Sequence, residues 1–179
     1  MLTDSLRKYF IRKIKSFFPH VGLENQSARE KWLEQTLRKI PENSRILDAG
    51  AGTQRYHKFC AHLRYVSQDF AQYDGQGDAK GLQIGAFDYG QLDIVSDITS
   101  IPEPDAAFDA IMCVEVLEHL PEPEIAIREF ARLTRPGGYL ILTAPFASMT
   151  HFAPFISLPV LVTIGMKRCS EKMVSRFLN

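Results

Sequence analysis

Runs of apolar residues alternate along the chain with amphipathic and polar stretches, and this alternation predicts strands separated by helices and loops. The apolar runs are short, rich in β-branched and aromatic residues, and bounded by residues that favour turns. They are RILD (45–48), YVSQD (65–69), DIVSD (93–97), FDAIMCV (108–114) and YLILTAP (139–145). The fifth run is apolar throughout, which is typical of a strand covered on both faces of a sheet.

Three other stretches have helical features. Ser27 and Glu30 have the spacing of a capping box, and the helix that follows them is expected to stop at Pro41. Residues 54–63 predict a second helix, and a third is expected to open near Pro121. Because strands alternate with helices, the sequence predicts an α/β fold with a Rossmann-like, open, mostly parallel sheet and helices on both faces.

Local composition divides the chain into three predicted regions. These are an N-terminal helical region (1–40), a ligand-binding domain (41–150) and an atypical basic C-terminal tail (151–179). Within the domain, residues 71–91 are rich in Gly, Asp and Gln and predict a long loop. Residues 135–138 (RPGG) have Pro and Gly where a type II turn requires them.

Composition narrows the class of protein. The 179 residues are 45% hydrophobic, which suits one domain with a sizeable core and excludes a disordered chain. The 21 basic residues balance 21 acidic ones, so no basic field predicts a nucleic-acid partner. The three cysteines lack metal-ligand spacing, and we interpret them as reduced thiols of a cytoplasmic protein. No apolar run reaches the length of a membrane span, and no metal site is predicted.

Charge is distributed unevenly. Residues 1–20 are basic, with Leu6, Phe10, Ile14 and Phe17 at near-helical spacing. Such a helix either packs on its own domain or makes weak contact with an anionic membrane surface. Residues 81–127, by contrast, contain ten carboxylates and no Lys or Arg.

Candidate chemistry lies where the predicted strands end. Four carboxylates follow successive strands at or just past their ends: Asp48, Asp69, Asp97 and Glu115. Ligands of open α/β sheets bind at this edge, where an acid can accept hydrogen bonds from ribose hydroxyls. Each acid alone is more simply a solvated loop residue, whereas four in order predict an acidic site suited to a cationic ligand.

A glycine loop completes the pattern. Gly50-Ala51-Gly52 follows the first strand and lets backbone approach a ligand closely. Asp97 can accept a hydrogen bond from an adenine amine, while Ile98 packs on the ring.

These segments resemble the class I S-adenosylmethionine-dependent methyltransferases, of the type 11 kind, over about residues 40–150. The resemblance is carried by RILDAGAGTQRY, by VSQDF and by VSDITSIPEPDAAFDAIMCVEVLEHLPEPEIAIREFARLTRPGGYLIL. It implies S-adenosyl-L-methionine as cofactor. Its implied contacts are the methionine end (Asp48, Gly50, Ala51 and Gly52), the ribose (Asp69), the adenine (Asp97 and Ile98) and a stretch beside the methionine moiety (Cys113 to Glu115).

A dinucleotide-dependent oxidoreductase is the alternative enzyme class. Its glycine fingerprint requires a third glycine, where this chain has Arg55 after Gly50 and Gly52. Asp48 would crowd a pyrophosphate but can meet the ammonium of a methionine moiety. The sequence therefore favours a methyltransferase.

The methyl acceptor is predicted less sharply. A small molecule, a lipid-linked molecule or a saccharide is preferred, and a protein acceptor stays open. His119 and His151 are candidate bases, since imidazole titrates near neutral pH. For His119 a structural role in the turn after the fourth strand is preferred, whereas the two roles are evenly balanced for His151.

The tail departs from the family's pattern after residue 154. The two strands that complete the usual seven-stranded sheet are expected to be missing, which would leave the fifth strand as an unprotected edge. We interpret residues from about 155 onward as read in a shifted frame, because the tail can be back-translated into an aromatic-rich run resembling related enzymes. The alternatives are a short basic tail of the chain's own and a cofactor-binding relic without turnover.

Overall fold

The computed structural model describes residues 25–72 and 88–144, together with the backbone of 165–168. Several predictions fall outside the described residues: the helix over 1–20, most of the 71–91 loop, the candidate base His151 and the shifted reading frame. Two compact units are distinguished, residues 1–39 and 40–179. The division into three regions at residues 40 and 150 stays a prediction.

The first unit contains helix α1, Asn25–Leu37. Just past its end, the exposed Arg38 pairs with Glu34 one turn earlier, at 2.6 Å. The helix begins before Ser27, so the expectation that Ser27 caps it is wrong. No helix among the described residues is long and apolar enough to cross a membrane.

The second unit is built on one open sheet with the strand order β3-β2-β1-β4-β5-β6. The strands are β1 (Arg45–Ala49), β2 (Arg64–Asp69), β3 (Ile94–Val95), β4 (Phe108–Val114), β5 (Thr134–Thr143) and β6 (Gly165–Arg168). β1 to β5 pair in parallel. The predicted α/β, Rossmann-like, mostly parallel architecture is confirmed.

Helix α2 (Pro123–Leu133) covers one face of this sheet. Pro123 occupies its first turn, where the missing amide hydrogen costs nothing. Its buried residues Ala126, Phe130 and Leu133 join a hydrophobic cluster with side chains of β1, β4 and β5. This packing fixes the orientation of β4, whose carboxyl end carries part of the site.

The prediction of a helix over residues 54–63 is wrong. Its residues form turns and a short 3₁₀ helix, His57–Phe59. Gln54 has φ of 55°, outside the helical region, and its side-chain amide donates to the carbonyls of Tyr89 and Gln91. These tertiary hydrogen bonds override a stretch that contains several good helix formers.

The expectation that the fifth strand is an unprotected edge is also wrong. β6 pairs with β5 in antiparallel orientation, with Tyr139 opposite Arg168 and Leu142 opposite Gly165. β5 also starts five residues before the predicted run, because residues 135–138 form an irregularity within the strand. Gly137 has φ of 78°, as a type II turn requires.

Candidate cofactor site at the carboxyl ends of the strands

The glycine loop after β1 is fixed from two sides. The amides of Gly50 and Ala51 both donate to the carbonyl of Gln68 on β2, at 2.9 Å. Gly50 has φ of +74°, and a Cβ at this position would lie 2.6 Å from Cγ2 of Val116. The loop therefore requires glycine at residue 50, for its backbone conformation and for its close approach to the segment after β4.

Asp69, the last residue of β2, connects this loop with the one that follows it. Its Oδ2 accepts a hydrogen bond from the amide of Gly52 at 2.9 Å, and its Oδ1 accepts one from Ala71 at 3.1 Å. The side chain is buried. Each carboxylate oxygen has a second lone pair, so the group can still accept hydrogen bonds from a diol.

Asp48 is buried within the sheet, 2% exposed. Burial raises its pKa from 3.8 to about 7; the hydrogen bond from the Tyr65 hydroxyl, at 2.6 Å, acts in the opposite direction, and the nearby Asp69 raises it further. The carboxyl group thus changes charge near neutral pH. A cation beside it would favour the ionised form.

Gln68 is a site residue that the sequence analysis did not single out. Its side chain is fully buried, and its Nε2 donates to the carbonyl and the hydroxyl of Ser96 at 2.7 and 3.3 Å. Its Oε1 accepts from the amide of Gly50 at 3.3 Å. Gln68 therefore joins the glycine loop to the segment that leads into Asp97; the available signal was a polar residue inside a strand, next to Asp69.

Asp97 and Ile98 differ in their exposure. Asp97 is exposed, and its Oδ1 accepts hydrogen bonds from the Thr99 amide and hydroxyl at 2.8 and 2.6 Å, which lower its pKa. Ile98 is only 8% exposed and belongs to the hydrophobic cluster. Asp97 thus presents its charge at the surface, whereas only a small part of the Ile98 side chain is exposed for contact with a ligand.

The end of β4 supplies Cys113 and Glu115. Cys113 is fully buried in the hydrophobic cluster; burial raises its thiol pKa well above 9.0, with added contributions from Asp48 and Glu118. Glu115 has φ of 57°, and its Oε1 accepts from the Thr143 hydroxyl at 3.0 Å. Cys113 is therefore a neutral packing residue, and Glu115 connects the ends of β4 and β5.

His119 lies in a 3₁₀ turn, Leu117–His119, just after β4. Its backbone amide donates to the carbonyl of Val116 at 2.9 Å, and its Nε2 lies 3.8 Å from Oε1 of the buried Glu118. The backbone of His119 is thus fixed in the turn, and its ring lies beside Glu118. His151, the second candidate base, lies outside the described residues.

The structure thus brings together Asp48, the glycine loop and Asp69, with the segment after β4 against Gly50. Asp97 is connected to them through Ser96 and Gln68. Buried carboxylates beside a glycine loop whose backbone a ligand can approach closely suit a ligand with a diol and a positive charge, as S-adenosyl-L-methionine has. In the part of the chain that is described, no three His, Cys, Asp or Glu side chains are arranged to hold a metal ion.

Sequence comparison gives related enzymes. A relative from Xanthomonas oryzae pv. oryzae (strain PXO99A), named ubiquinone biosynthesis O-methyltransferase, is 45% identical over 114 residues, which cover 62% of this chain and 46% of the relative. One from Arabidopsis thaliana, named tRNA (carboxymethyluridine(34)-5-O)-methyltransferase, is 28% identical over 140 residues, covering 76% and 32%. The chain spans about half the length of the curated relatives it matches first.

Among solved structures, the [4+2]-cyclase SpnF superimposes with a TM-score of 0.50 at 22% identity, over 86% of this chain and 57% of that protein. This likeness shows the fold alone, because one fold serves different reactions. A family model described as "Methyltransferase domain" matches residues 22–171. That match agrees with the preference for a methyltransferase over a dinucleotide-dependent oxidoreductase: the chain belongs to the class I S-adenosylmethionine-dependent methyltransferases.

Proposed function

We propose that the chain binds S-adenosyl-L-methionine at the strand-end site and transfers its methyl group to a hydroxyl oxygen of a small molecule. One observation carries the proposal. The buried Asp69 carboxylate is held by backbone amides of both neighbouring loops, at 2.9 and 3.1 Å, at the edge of the sheet where ligands bind. This arrangement orients an acceptor pair for the two hydroxyls of a ribose.

The remaining contacts follow the order of the strands. Asp48 faces the ammonium group of the methionine moiety, and the loop from Gly50 through Ala51 to Gly52 lets that moiety approach the backbone. Asp97 accepts from the adenine amine, and the exposed edge of Ile98 touches the ring. Cys113 and Glu115 shape the wall beside the methionine moiety.

The reaction needs little acid–base chemistry from the protein. When bound, the cofactor supplies a methyl group already activated on a sulfonium, which leaves as a neutral thioether. The chain's residues hold the reactants in line and exclude water. As the methyl group is transferred, the acceptor hydroxyl gives up its proton, which passes to solvent. We assign no base among the described residues.

The acceptor class rests on two arguments. The names of the Xanthomonas and Arabidopsis relatives both specify transfer to oxygen, which supports a hydroxyl acceptor. The formal net charge is zero and residues 81–127 carry only acidic charge, which disfavours a polyanionic RNA substrate. Lipid-linked molecules and saccharides belong to the same proposed class, and residues 1–20 would serve weak contact with an anionic membrane surface.

We also propose a cytoplasmic location. Its support is chemical: Cys60 and Cys113 are free and buried thiols, as in a reducing compartment.

Calorimetry and methyl transfer test the function separately. We expect the wild-type chain to bind S-adenosyl-L-methionine and its demethylated product, and Asp69→Asn to weaken both. Asp105→Asn is the matched control, since Asp105 is an exposed acid paired with Arg132 before β4. Tight binding of NADH without response to S-adenosyl-L-methionine would contradict the proposal.

For transfer, labelled S-adenosyl-L-methionine is incubated with the chain and cell extract, which is then fractionated by size and solubility. We expect label in a small-molecule or lipid fraction. Label in RNA would overturn the proposed acceptor class. Cofactor binding without any methyl transfer would instead favour a cofactor-binding relic without turnover.

A further inference from the structure

Tyr65 lies beside Asp48, the buried acid of β1 that precedes the glycine loop. On β2 it is opposite Ile46 of β1, two residues before Asp48, so the side chains of Tyr65 and Asp48 share a face of the sheet. The Tyr65 hydroxyl donates to Oδ2 of Asp48 at 2.6 Å. Among the described residues this is the one hydrogen bond that reaches the Asp48 carboxylate.

The surroundings of Asp48 otherwise disfavour its charge. Its burial and the nearby Asp69 carboxylate both raise its pKa, and the Tyr65 hydroxyl opposes them. A positively charged ligand group binds more tightly to an ionised carboxylate than to a neutral one. A donor that stabilises the charged form therefore strengthens the site before the ligand arrives.

Tyr65 is suited to serve as a permanent donor. Burial, then the charge of Asp48 and the hydrogen bond to it, raise the pKa of its phenol above the usual value, so the proton stays on the phenol oxygen at working pH. The ring stacks on His57, with centroids 4.4 Å apart, which holds it in place. The other titratable groups near this pair are Cys60, Asp93 and Cys113. Cys60 follows the 3₁₀ helix, and burial raises its pKa to about 12; Cys113 of β4 is neutral.

We propose that Tyr65 is a positioning residue whose hydroxyl keeps the Asp48 carboxylate charged and oriented for the ammonium group of the cofactor. The inference rests on the proposed function, because that function supplies the ammonium group. Tyr65 touches Asp48 and no reacting atom, so its effect on the ligand passes through Asp48.

The first test is the pH dependence of affinity for the demethylated cofactor, measured by calorimetry on the full chain. Tyr65→Phe keeps the ring and its stacking on His57 but removes the donor. Loss of one hydrogen bond to a charged group raises the pKa of Asp48 by roughly one. This change lowers the ionised fraction of Asp48 strongly at pH 7 and only slightly at pH 8.5. We therefore expect affinity about fivefold weaker than wild type at pH 7 and less than twofold weaker at pH 8.5.

Tyr139→Phe is the matched control, because Tyr139 lies on β5, on the other side of β4 from β1. We expect it to leave the ratio to wild type unchanged at both pH values. Because each variant is compared with wild type at the same pH, the titration of the cofactor's own amino group affects both affinities equally and cancels in their ratio.

A second readout does not need the ligand. Carboxyl-carbon NMR on the unliganded protein should show a higher pKa of Asp48 in Tyr65→Phe and an unchanged one in Tyr139→Phe. A purely structural role would lower stability, and would weaken binding equally at all pH values.

Each outcome bears on one proposal or both. An unchanged Asp48 titration, or a loss of affinity that is the same at pH 7 and 8.5, would overturn the role of Tyr65 and leave the cofactor site intact. Failure of the wild-type chain to bind the cofactor at either pH would overturn both.

Discussion

The close approach of Gly50 to Val116 gives a stability prediction whose two components can be separated. Gly50→Ala places a residue with a side chain at φ of +74° and puts its Cβ 2.6 and 2.9 Å from the two methyl carbons of Val116. The left-handed backbone costs about 1–2 kcal/mol for a residue other than glycine. Displacing Val116 adds about 1–3 kcal/mol, the usual range for overpacking. We therefore expect a loss of about 2–5 kcal/mol in the free energy of unfolding.

Gly137 is a matched control within the same chain. Its φ is +78°, yet a Cβ there would meet nothing within 4 Å. Gly137→Ala should therefore cost only the backbone component, about 1–2 kcal/mol.

Urea unfolding followed by circular dichroism measures these differences, with the midpoints compared at equal slope. In a Val116→Ala background, Gly50→Ala should cost only slightly more than Gly137→Ala, because the two methyl groups are gone and only the Cβ of residue 116, at 3.2 Å, still contacts the new side chain. Equal losses for Gly50→Ala and Gly137→Ala in the wild-type background would refute the steric argument, as would a failure of Val116→Ala to reduce the loss.

Three further predictions concern buried or bridging polar groups. Burial raises the pKa of Asp48 to about 7, while in the unfolded chain it titrates near 3.8, so this group's contribution to stability is fully present below pH 4 and is lost as pH rises to 7. The loss amounts to about 4 kcal/mol. Urea unfolding of the unliganded protein at a series of pH values should show this loss in wild type and not in Asp48→Asn. An identical dependence of stability on pH in the two proteins would contradict the raised pKa of Asp48. Gln68→Leu removes the donor to the carbonyl and hydroxyl of the partly buried Ser96, while the Gly50 amide keeps its bond to the backbone carbonyl of residue 68. We expect a loss of about 1 kcal/mol, checked by thermal unfolding, with a neutral effect as the contrary result. Arg132 donates to both carboxylate oxygens of Glu129. Arg132→Lys keeps the positive charge but cannot donate to both oxygens at once, so it should lower the free energy of unfolding by about 1 kcal/mol. Equal stability of the two proteins in urea would contradict this geometry.

Strands β1, β2 and β4 were predictable because each lies in a short apolar run whose environment is set by the sheet itself. β4 has the predicted bounds, 108–114, and β1 and β2 differ from prediction by one residue at one end. Local pattern failed where distant residues decide the backbone. Gln54 takes its conformation from carbonyls some 35 residues away, and β6 is recognised only through its pairing with β5.

The site residues also divide into those that local sequence predicts and those that depend on distant contacts. The acids at the strand ends could be named from their position, because parallel strands place their carboxyl ends at one edge. Tyr65 and Gln68 could not, since a tyrosine or glutamine within a strand has no pattern that reveals which buried group it will contact. Their roles depend on register: pairing of β1 with β2 places Tyr65 near Asp48 and Gln68 near Gly50.

A crystal structure of the chain with the demethylated cofactor, S-adenosylhomocysteine, would show whether Asp69 binds the ribose. The decisive quantity is the distance from the ribose hydroxyl oxygens to the carboxylate oxygens of Asp69. We predict that both hydroxyls lie within hydrogen-bond distance of that carboxylate, about 2.5–3.0 Å, with the glycine loop against the methionine end. A ribose bound away from Asp69, or a ligand that leaves the carboxyl ends of β1 and β2 untouched, would contradict the account.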